Sequence, residues 1–591
     1  MSAPILTNNE TSYYVLAVLS WTDVGFIYTY RYSCGGRSLH VGSGSFIGTY
    51  TGGVLGWPVY TEERGNGLLP SFVWPSVSIS ITRNHDSRDE VDALVSRLNT
   101  ACSGGYKPTL TLYFTSGATV ASTDVIFTGT IDNGGVVISS DSITLKSDHW
   151  LKKYDVDLPK SRNWTSKKTG DPGAYGELMP VIYGDWNRKN DAYLIPCVIV
   201  DRRTEIVDGS NNVKVEICDT TSSGIHALGG RLKWTRSDGT AHGFEIWGST
   251  YPRESDDLAE ATVELGESQA VDAGSQKNVW QKSDTVHIQY LRGNDNSSAV
   301  TITEPVDAIY DLLAEYAGVP TVNIGDSITP GSGSQLNTGL KCRAFLKKQK
   351  KIITGHVTDI CQSFGLLLLV VNNCLEIAID PLFDWEYGSE GDDIDVQPYQ
   401  ALDSQVHTLW PESLTKQRIV IEYDKTPDGD YRGRAAHYEP GDSGEPIFRL
   451  KSDWIYRRKD ASSMVGNIEK VATNTMRALE LSVPIAGLQL GIAEKPTGAT
   501  GATKIPRICW TGDGLTAKFF YPYKVEIDYG TGLGHAWMFQ QAFRFYRAYV
   551  AANGSPNYDA SSYAQKIAHG FYTDNDGTLD SDTIQYSNTV D

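Results

Sequence analysis

The sequence predicts an α+β protein, mainly β, that is built from several small β-barrels or sandwiches with a few packed helices. One observation is composition, since 57 glycines and 32 tyrosines in 591 residues suit many turns and aromatic strand positions. Another is the strict alternation of polar and apolar residues over short segments, such as PSVSISITRN at 75–84, which is the period of a half-buried strand. Only a few segments carry the helical period. At about 100–200 residues per domain, the length predicts about three to five domains.

Changes of pattern along the chain divide it into six segments, each with its own mixture of strand, helix and turn signals. These are an N-terminal β-rich region at 1–74, a first barrel at 75–165, a second β-rich domain at 166–300, an α/β domain at 301–400, returning strands with a long helix at 401–506, and a C-terminal segment with an aromatic helix at 507–591.

The first barrel has the clearest pattern of strand, helix and further strands. Ser87 followed by Glu90 forms a capping box that opens a helix. The apolar face of that helix comprises Val91, Leu94, Val95 and Leu98. The turn at 132–135, Asp-Asn-Gly-Gly, lies between two strand patterns and predicts a hairpin.

Further helices are predicted downstream. Thr303 is a candidate cap for a helix that has Pro305 in its first turn and Gly318 at its end. Its apolar face comprises Val306, Ile309, Leu312, Leu313 and Tyr316. A short helix at 356–365 precedes a hairpin at 366–380. A long helix is predicted at 462–481, and a helix that is aromatic nearly all round at 536–554.

The net charge and the cysteines bound the function. The formal charge of -19 argues against a protein that grips DNA, because an acidic surface repels phosphate, but it allows a channel wall past which DNA moves. Solubility alone is the favoured interpretation of the charge by itself. The eight cysteines are scattered, without zinc spacing. We therefore expect small buried hydrophobes in a protein made in a reducing cytosol. No signal peptide and no membrane-spanning segment is predicted.

Two motifs suggest chemistry without completing it. The segment GDSGEP at 441–446 differs by one residue from the sequence around the nucleophile of chymotrypsin-like proteases. That chemistry needs a distant His and a buried Asp, whereas the nearest His is His437, six residues before Ser443. A polar turn is the favoured interpretation. There is no P-loop, and no dinucleotide fingerprint follows a strand and opens a helix, so we expect no catalytic residue and no cofactor.

Calcium is the one metal with candidate ligands. Clustered oxygens on a turning backbone suit a hard cation, and the C-terminal candidates around Gly577 are Asp574, Asp576, Asp580 and Asp582. Their spacing is not that of an EF-hand, and a solvated acidic segment is the alternative. A second, weaker acidic loop contains Asp424, Asp428 and Asp430. The histidines are spread singly, and His242, His287 and His356 are expected to be packed or hydrogen-bonded.

Four groups of segments, taken in order, resemble the tail hub or baseplate hub proteins of long-tailed bacteriophages. They are FTGTIDNGGVVISSDSITLKSDHWLKKYDVDLPKSRNW at 127–164, ELMPVIYGDW at 177–186, EPVDAIYDLLAEYAGV with HVTDICQSFGLLLLVVNNCLEIAID at 304–380, and QRIVIEYDK at 417–425. The resemblance covers residues 75–490 and is one of pattern and order. The fourth segment resembles a late strand that returns to an earlier barrel.

The resemblance implies a structural role at the tail tip of a virion. The family's barrels are tail-tube-like, and three copies form a ring in which each copy supplies two barrels. It implies a homotrimer between a tail tube or distal tail protein and tip spike or fibre proteins, with a lumen for the tape-measure protein and for DNA in transit. Such a protein is not an enzyme. The resemblance leaves 1–74 and 507–591 unexplained.

Two alternatives remain from the residues alone. One is a cell-wall or glycan hydrolase on a β scaffold, which needs two carboxylates about 5–10 Å apart in a groove. The other is a carbohydrate-binding adhesin with exposed aromatic residues at 1–74 or in the C-terminal segment. Neither alternative requires the ordered set of hub-like segments.

Overall fold

The computed structural model describes residues 14–159, 301–380, 393–396, 401–407, 418–484 and 507–540 with gaps, and strands with a few neighbouring residues between 178 and 289. The gaps in the longer ranges are 24, 35–37, 43–46, 65–68, 83–87, 116–124, 372, 439–446, 474–476 and 513–514.

The chain forms two compact units, each assembled from separate stretches of sequence. Unit 1 comprises residues 1–154, 367–415 and 474–553, and unit 2 comprises residues 155–366, 416–473 and 554–591. Units made of interleaved stretches differ from the six consecutive segments that the sequence pattern suggests.

Most described elements are strands. The first ten are β1 (Tyr14–Asp23), β2 (Phe26–Cys34), β3 (Leu39–Val41), β4 (Gly48–Leu55), β5 (Val59–Glu63), β6 (Ser76–Thr82), β7 (Thr109–Thr115), β8 (Val125–Thr130), β9 (Val136–Ile138) and β10 (Ser142–His149). The next ten are β11 (Asp157–Leu158), β12 (Val181–Tyr183), β13 (Ile195–Ile199), β14 (Asn212–Asp219), β15 (Gly230–Thr235), β16 (Ala241–Ile246), β17 (Leu258–Glu264), β18 (Thr285–Gln289), β19 (Ala344–Leu346) and β20 (Lys350–Lys351). The last are β21 (Leu366–Val371), β22 (Cys374–Ile379), β23 (Asp393–Val396), β24 (Asp403–His407), β25 (Arg418–Lys425), β26 (Tyr431–Tyr438), β27 (Ile447–Lys451), β28 (Ala478–Pro484), β29 (Arg507–Gly512), β30 (Leu515–Asp528) and β31 (Leu533–Gln540).

The described α-helices are α1 (Arg88–Ser103), α2 (Pro305–Asp311), α3 (Thr358–Phe364) and α4 (Arg458–Thr473). A π-helical turn, Leu312–Tyr316, continues α2, and another, Ile352–Val357, leads into α3. The prediction of an α+β, mainly β protein is therefore confirmed. None of the described helices is long and apolar enough to cross a membrane.

A 16-stranded sheet dominates unit 1. Its strands follow the order β24-β28-β31-β30-β5-β6-β10-β8-β7-β1-β2-β4-β3, with β9, β23 and β29 paired at its sides. Strand β5 pairs with β30 on one side and β6 on the other, so it joins the N-terminal strands to the C-terminal ones. Strand β4 returns to β6 through the single pair Leu55–Ile81. The pairing therefore runs from β6 through β10, β8, β7, β1, β2 and β4 and returns to β6, with one residue pair in its last step.

Helix α1 packs on this sheet as its sequence predicts. Val91, Leu94 and Leu98 are buried in the sheet's apolar core, and Val95 packs against that core while remaining partly exposed. Burial of such a stripe is what holds a helix of this length in place, because isolated helices are marginal in water. The strands at the start of the chain thus share their core with those of the predicted first barrel, across the proposed boundary at 74.

The hairpin predicted at the turn 132–135 is wrong. Asn133–Gly135 forms a 3₁₀ turn, but the strands on either side of it both pair with β10, through Thr130 with Asp148 and Val136 with Leu145. The turn is thus an excursion between two strands on the same side of β10. The hairpin itself reverses between Ser139 and Ser142, whose backbone groups are joined at 2.9 Å.

Unit 2 contains smaller sheets. A six-stranded sheet has the order β16-β15-β18-β13-β14-β17, a three-stranded sheet has the order β26-β25-β27, and β11-β20 and β12-β19 form short pairs. Strand β25, which was expected to return to an earlier barrel, pairs with the later strands β26 and β27 instead. Strands β24 and β28, in unit 1, are the ones from 401–506 that join the N-terminal strands in one sheet.

In two segments for which the sequence predicts a helix, part of the segment is a strand. Helix α4 ends at Thr473, and β28 occupies Ala478–Pro484 with every second side chain buried. The predicted aromatic helix begins as β31, Leu533–Gln540, which also alternates and pairs with β28 and β30. Residues 541–554 lie outside the described part. In both cases the period of two, fitted to a neighbouring strand, outweighs local helix propensity.

The sequence also predicts the cap of α2 and the burial of the cysteines. Thr303 does not cap α2, because the residue before the helix is Glu304, without a side-chain capping bond, and the Thr303 hydroxyl accepts from Lys341 at 3.1 Å. All five residues of the predicted apolar face are buried. The cysteines whose side chains are described form no disulfide with one another: Cys34, Cys102, Cys342, Cys361 and Cys509 are buried and Cys374 is half-buried.

Candidate functional site

A buried arginine lies at the centre of unit 2. Arg343 precedes β19 and is 2% exposed. Its guanidinium donates to the carboxylate of Asp424 in β25. The backbone of each residue is also fixed by the segment after β27, since Arg343 N donates to Trp454 O at 3.0 Å and Asp424 N donates to Ile455 O at 2.8 Å. Desolvating two charges is offset only when they are paired and hydrogen-bonded in this way.

Aromatic rings enclose the guanidinium. Its carbon lies 4.4 Å from the ring centroid of Trp186, 4.8 Å from that of Tyr456 and 5.0 Å from that of Tyr193. The Tyr193 hydroxyl also donates to Asp424 at 2.6 Å. Stacked rings attract a cation through their quadrupole, and more strongly when water is excluded. We refer to Arg343, Asp424, Trp186, Tyr193 and Tyr456 as the arginine cluster.

The segment Tyr-Gly-Asp-Trp at 183–186 builds one wall of the arginine cluster. The Tyr183 hydroxyl donates to Asp311 in α2 at 2.7 Å, and Trp186 Nε1 donates to Tyr183 O at 3.0 Å. Gly184 has φ of +82°, and a Cβ there would lie 2.6 Å from the Cys342 carbonyl oxygen. Only glycine meets both conditions. The arginine cluster therefore buries the ion pair between Arg343 and Asp424 and links parts of unit 2 that lie far apart in the sequence.

A polar cleft of about 270 Å³ lies beside the arginine cluster in unit 2. Neighbouring residues supply the two features: Asp424 belongs to the arginine cluster and Lys425 to the cleft. The cleft is formed by β20, α3, β25, β26 and β27, and it is lined by Lys348, Lys350, Asp359, Gln362, Ser363, Lys425, Tyr431, Leu450, Lys451 and Asp453. We call it the lysine cleft.

Ion pairs and hydrogen bonds order the floor of the lysine cleft. Lys350 Nζ lies 2.5 Å from Asp359 Oδ2, and Lys425 Nζ lies 2.8 Å from Asp453 Oδ2. The Tyr431 hydroxyl donates to the other oxygen of Asp453 at 2.5 Å. Lysine and carboxylate therefore alternate along the floor, and each described carboxylate of the lining is already neutralised by a neighbour.

The pKa values follow from this network. Burial acts to raise the pKa of Asp453, but hydrogen bonds from Lys425 and Tyr431 and the charges of Lys425 and Lys350 outweigh it, so the pKa lies below its ordinary value. Burial and the bond to Asp453 raise the pKa of Tyr431. At neutral pH the lysine cleft therefore holds an ionised aspartate and a neutral tyrosine.

This arrangement suits binding and does not suit acid–base catalysis. A glycosidase needs one carboxylic acid with a raised pKa to protonate the leaving group. Asp453 has a lowered pKa, and Asp359 is paired with Lys350. Four lysines against two aspartates leave the lining with a surplus of positive charge, within a chain whose formal charge is -19.

The structure describes one of the two acidic segments that the sequence offers as calcium sites. Asp574, Asp576, Asp580 and Asp582 lie outside the described residues, so calcium there stays a prediction. The weaker loop is not a site: Asp424 is committed to Arg343 and Tyr193, while Thr426 and Asp430 close a backbone turn at 2.8 Å. Within the described ranges no group of three or more His, Cys, Asp or Glu side chains has metal-binding geometry.

The remaining motifs are resolved in part. GDSGEP at 441–446 lies outside the described residues. His356 is buried and its Nε2 lies 2.9 Å from the Leu158 carbonyl oxygen, which confirms that it is hydrogen-bonded. Burial lowers the pKa of His356. None of the motifs predicted from the sequence indicates the lysine cleft, although Lys-Lys-Gln-Lys-Lys at 347–351 is a basic run in an acidic chain and marks one part of its lining.

Comparisons with known proteins give only weak likenesses. No family model and no curated protein sequence matches the chain. Solved structures that are similar include the 43 kDa tail protein of prophage MuSo2 from Shewanella oneidensis, at 9% identity over 89% of this chain and 98% of that one, with a TM-score of 0.36. A tail protein from Neisseria meningitidis MC58 has 8% identity over 89% and 96%, with a TM-score of 0.35.

A chain from the virion of a native gene transfer agent particle has 10% identity over 66% of this chain and 92% of that one, with a TM-score of 0.35. These values are too low to define a shared fold or a shared function.

Proposed function

We propose that the chain is a structural hub of a phage tail tip or baseplate. In this role it adapts the tail tube to the distal tip proteins and forms the conduit for the tape-measure protein and DNA. It acts as a homotrimer in the virion and catalyses no reaction. The support comes from the ordered segments that resemble hub proteins and from their arrangement in the folded chain.

The observation that carries the proposal is that unit 2 brings parts of all four resembling segments together. Leu158 of the first segment accepts from His356 of the third at 2.9 Å, and Tyr183 of the second donates to Asp311 of the third at 2.7 Å. Asp424 of the fourth segment accepts a hydrogen bond from Arg343, and the guanidinium of Arg343 lies over the ring of Trp186 in the second segment. The resemblance of the four segments is one of pattern and order, and parts of all four contact one another in unit 2. Such contacts are expected if the segments form the core of a shared family.

Unit 1 supports the same role in its own way. Its sheet contains two strand groups, one from 14–149 and one from 393–540, joined through β5. Two such groups in each of three copies would present six to a tube, and ring formation would cover strand edges that otherwise promote aggregation. The chain's formal charge of -19 suits a wall that DNA passes without binding.

The test is the oligomeric state of the purified chain. We expect light scattering coupled to size exclusion to give three times the 64.9 kDa chain mass, and class averages from electron microscopy to show a three-fold ring with an axial hole. A monomer at every concentration would contradict the proposal. Hydrolysis of purified cell wall, lost on mutating one carboxylate pair, would favour the hydrolase, and glycan binding without hydrolysis would favour the adhesin.

A further inference from the structure

We propose that the lysine cleft is a docking site for an acidic polypeptide segment, which inserts an Asp or Glu side chain between Lys348 and Lys451. This inference does not depend on the hub function, because it concerns one cleft within unit 2 of a single chain. It rests on the charge of the lining, on the state of its lysines and on its volume.

The two lysines at the rim are the available cations. Lys348 is exposed, and it forms no ion pair with any residue that the structure describes. Lys451 is 56% exposed and lies 3.2 Å from Glu422, at the weaker limit of a hydrogen bond. By contrast, Lys350 and Lys425 hold close carboxylate partners within the cleft. A ligand carboxylate therefore meets two exposed ammonium groups at the rim and an ordered floor beneath them.

One lysine of the floor, Lys425, and one lysine of the rim, Lys451, lie near the ring of Tyr431. Lys425 Nζ lies 5.8 Å and Lys451 Nζ 5.6 Å from its centroid, so both ammonium groups approach the same ring. The hydroxyl of that ring is held by Asp453, which keeps the ring from turning. A side chain that enters the cleft thus finds the cations already placed, and less ordering is required on binding.

A carboxylate fits this lining better than a phosphate or a nucleic acid. The partners that the cleft's lysines have in the structure are carboxylates, namely Asp359, Asp453 and Glu422. Asp359 and Asp453 reduce the surplus charge of the lining to two, which matches the charge of one or two carboxylates and balances only a small part of the charge of a dense polyanion. Arginine, the residue that binds phosphate in a bidentate manner, does not line the cleft.

The volume sets the size of the occupant. About 270 Å³ lies just below the range of roughly 300–1,000 Å³ that encloses cofactors and drug-sized ligands. The space therefore admits one or two side chains of a segment that runs across the rim, with the rest of the partner outside the cleft.

The experiment uses the full chain and a fluorescent peptide of alternating Glu and Gly, with binding read by anisotropy at low salt. The double variant Lys348→Gln/Lys451→Gln should weaken binding by roughly ten-fold, as expected for two partly exposed ion pairs. The control is Lys351→Gln, which removes one positive charge from an exposed lysine three residues after Lys348. Lys351 does not line the cleft, and it pairs with Asp157 at 3.2 Å. It should change binding by less than about two-fold.

Three outcomes would overturn the proposal. They are equal weakening by the control and by the double variant, equal binding of a Gln–Gly peptide, and displacement of the peptide by inorganic phosphate more readily than by glutamate at matched ionic strength. Since both rim lysines are largely exposed, the variants should melt at the same temperature as the parent. An unchanged melting temperature then separates lost binding from lost folding.

Discussion

Arg343 and Asp424, 81 residues apart in the chain, form a buried ion pair that aromatic rings enclose within unit 2. Asp424 has a φ of +61°, a conformation that is uncommon for residues other than glycine. The surrounding bonds from Tyr193 and to Ile455 hold it there. The strand that carries the acid is therefore fixed at the same point by its side chain and by its backbone.

Replacing Asp424 by Asn tests this pair. The amide keeps the size of the side chain and tolerates the left-handed backbone, but it leaves the Arg343 cation buried without its counter-charge. We expect a loss of about 3–5 kcal/mol in the free energy of unfolding, measured by urea titration with tryptophan fluorescence. The control is Asp132→Asn, whose exposed partner Lys107 lies 2.9 Å away, and it should cost less than about 1 kcal/mol. Equal losses would show that burial of the pair does not matter.

Gly184 gives a second test of the same region. Gly184→Ala places a Cβ 2.6 Å from the Cys342 carbonyl oxygen and 2.8 Å from Arg343 Cα, so backbone must move. We expect a loss of about 3 kcal/mol or more. Gly318→Ala is the matched control, since its φ is +71° but nothing lies within 4 Å of the new Cβ. It should cost only the left-handed strain of about 1–2 kcal/mol. The difference between their urea midpoints measures the clash alone.

Local patterns predicted elements well where one period and one turn signal agreed. Strand β6 and helix α1 lie where the alternation and the capping box indicate, and the hairpin of β21 and β22 follows its apolar run. The patterns failed where a segment fits either period. Residues 478–481 and 536–540 carry helix-forming residues, yet both pair in register with other strands. That preference comes from partners far along the chain.

The site was less predictable than the fold. Asp424 was noted as part of an acidic loop, but its partner Arg343 lies 81 residues away, and no local spacing indicates which distant charge a buried acid will meet. Similarly, the basic run at 347–351 marks an exposed edge, while the cleft needs Lys425, Lys451 and Asp453 from other elements. The cleft exists where residues of α3 and of the three-stranded sheet come together with Lys348 and Lys350.

The core of unit 1 allows a test with matched leucines. Leu94 in α1 is fully buried in the apolar core, so Leu94→Ala removes buried methyl groups and leaves a cavity. We expect a loss of about 2–5 kcal/mol. Leu402 in the same unit is 65% exposed, and Leu402→Ala should change stability by less than about 0.5 kcal/mol. Hydrogen exchange of α1 peptides reports the loss locally. Unchanged protection in Leu94→Ala would contradict the packing of α1.

The stability of unit 1 should depend on pH through His149. The ring is fully buried, stacks against Trp74 with centroids 6.3 Å apart, and places Nε2 3.1 Å from Asn373 Oδ1. Burial lowers its pKa from 6.5 to about 4, and the bond to Asn373 opposes this only in part. The folded chain therefore keeps the ring neutral at pH values where the unfolded chain protonates it.

The sign follows from proton linkage. Above pH 6.5 both states have a neutral ring, and the full contribution of His149 to stability is present. As the pH falls from 6.5 to about 4, the unfolded state binds the proton first, so the free energy of unfolding decreases by about 3 kcal/mol in total. His149→Gln should lower stability at every pH through lost packing but should flatten this slope. Urea titrations of both proteins between pH 7 and 4 provide the measurement, and parallel curves would show that His149 is not the titrating group.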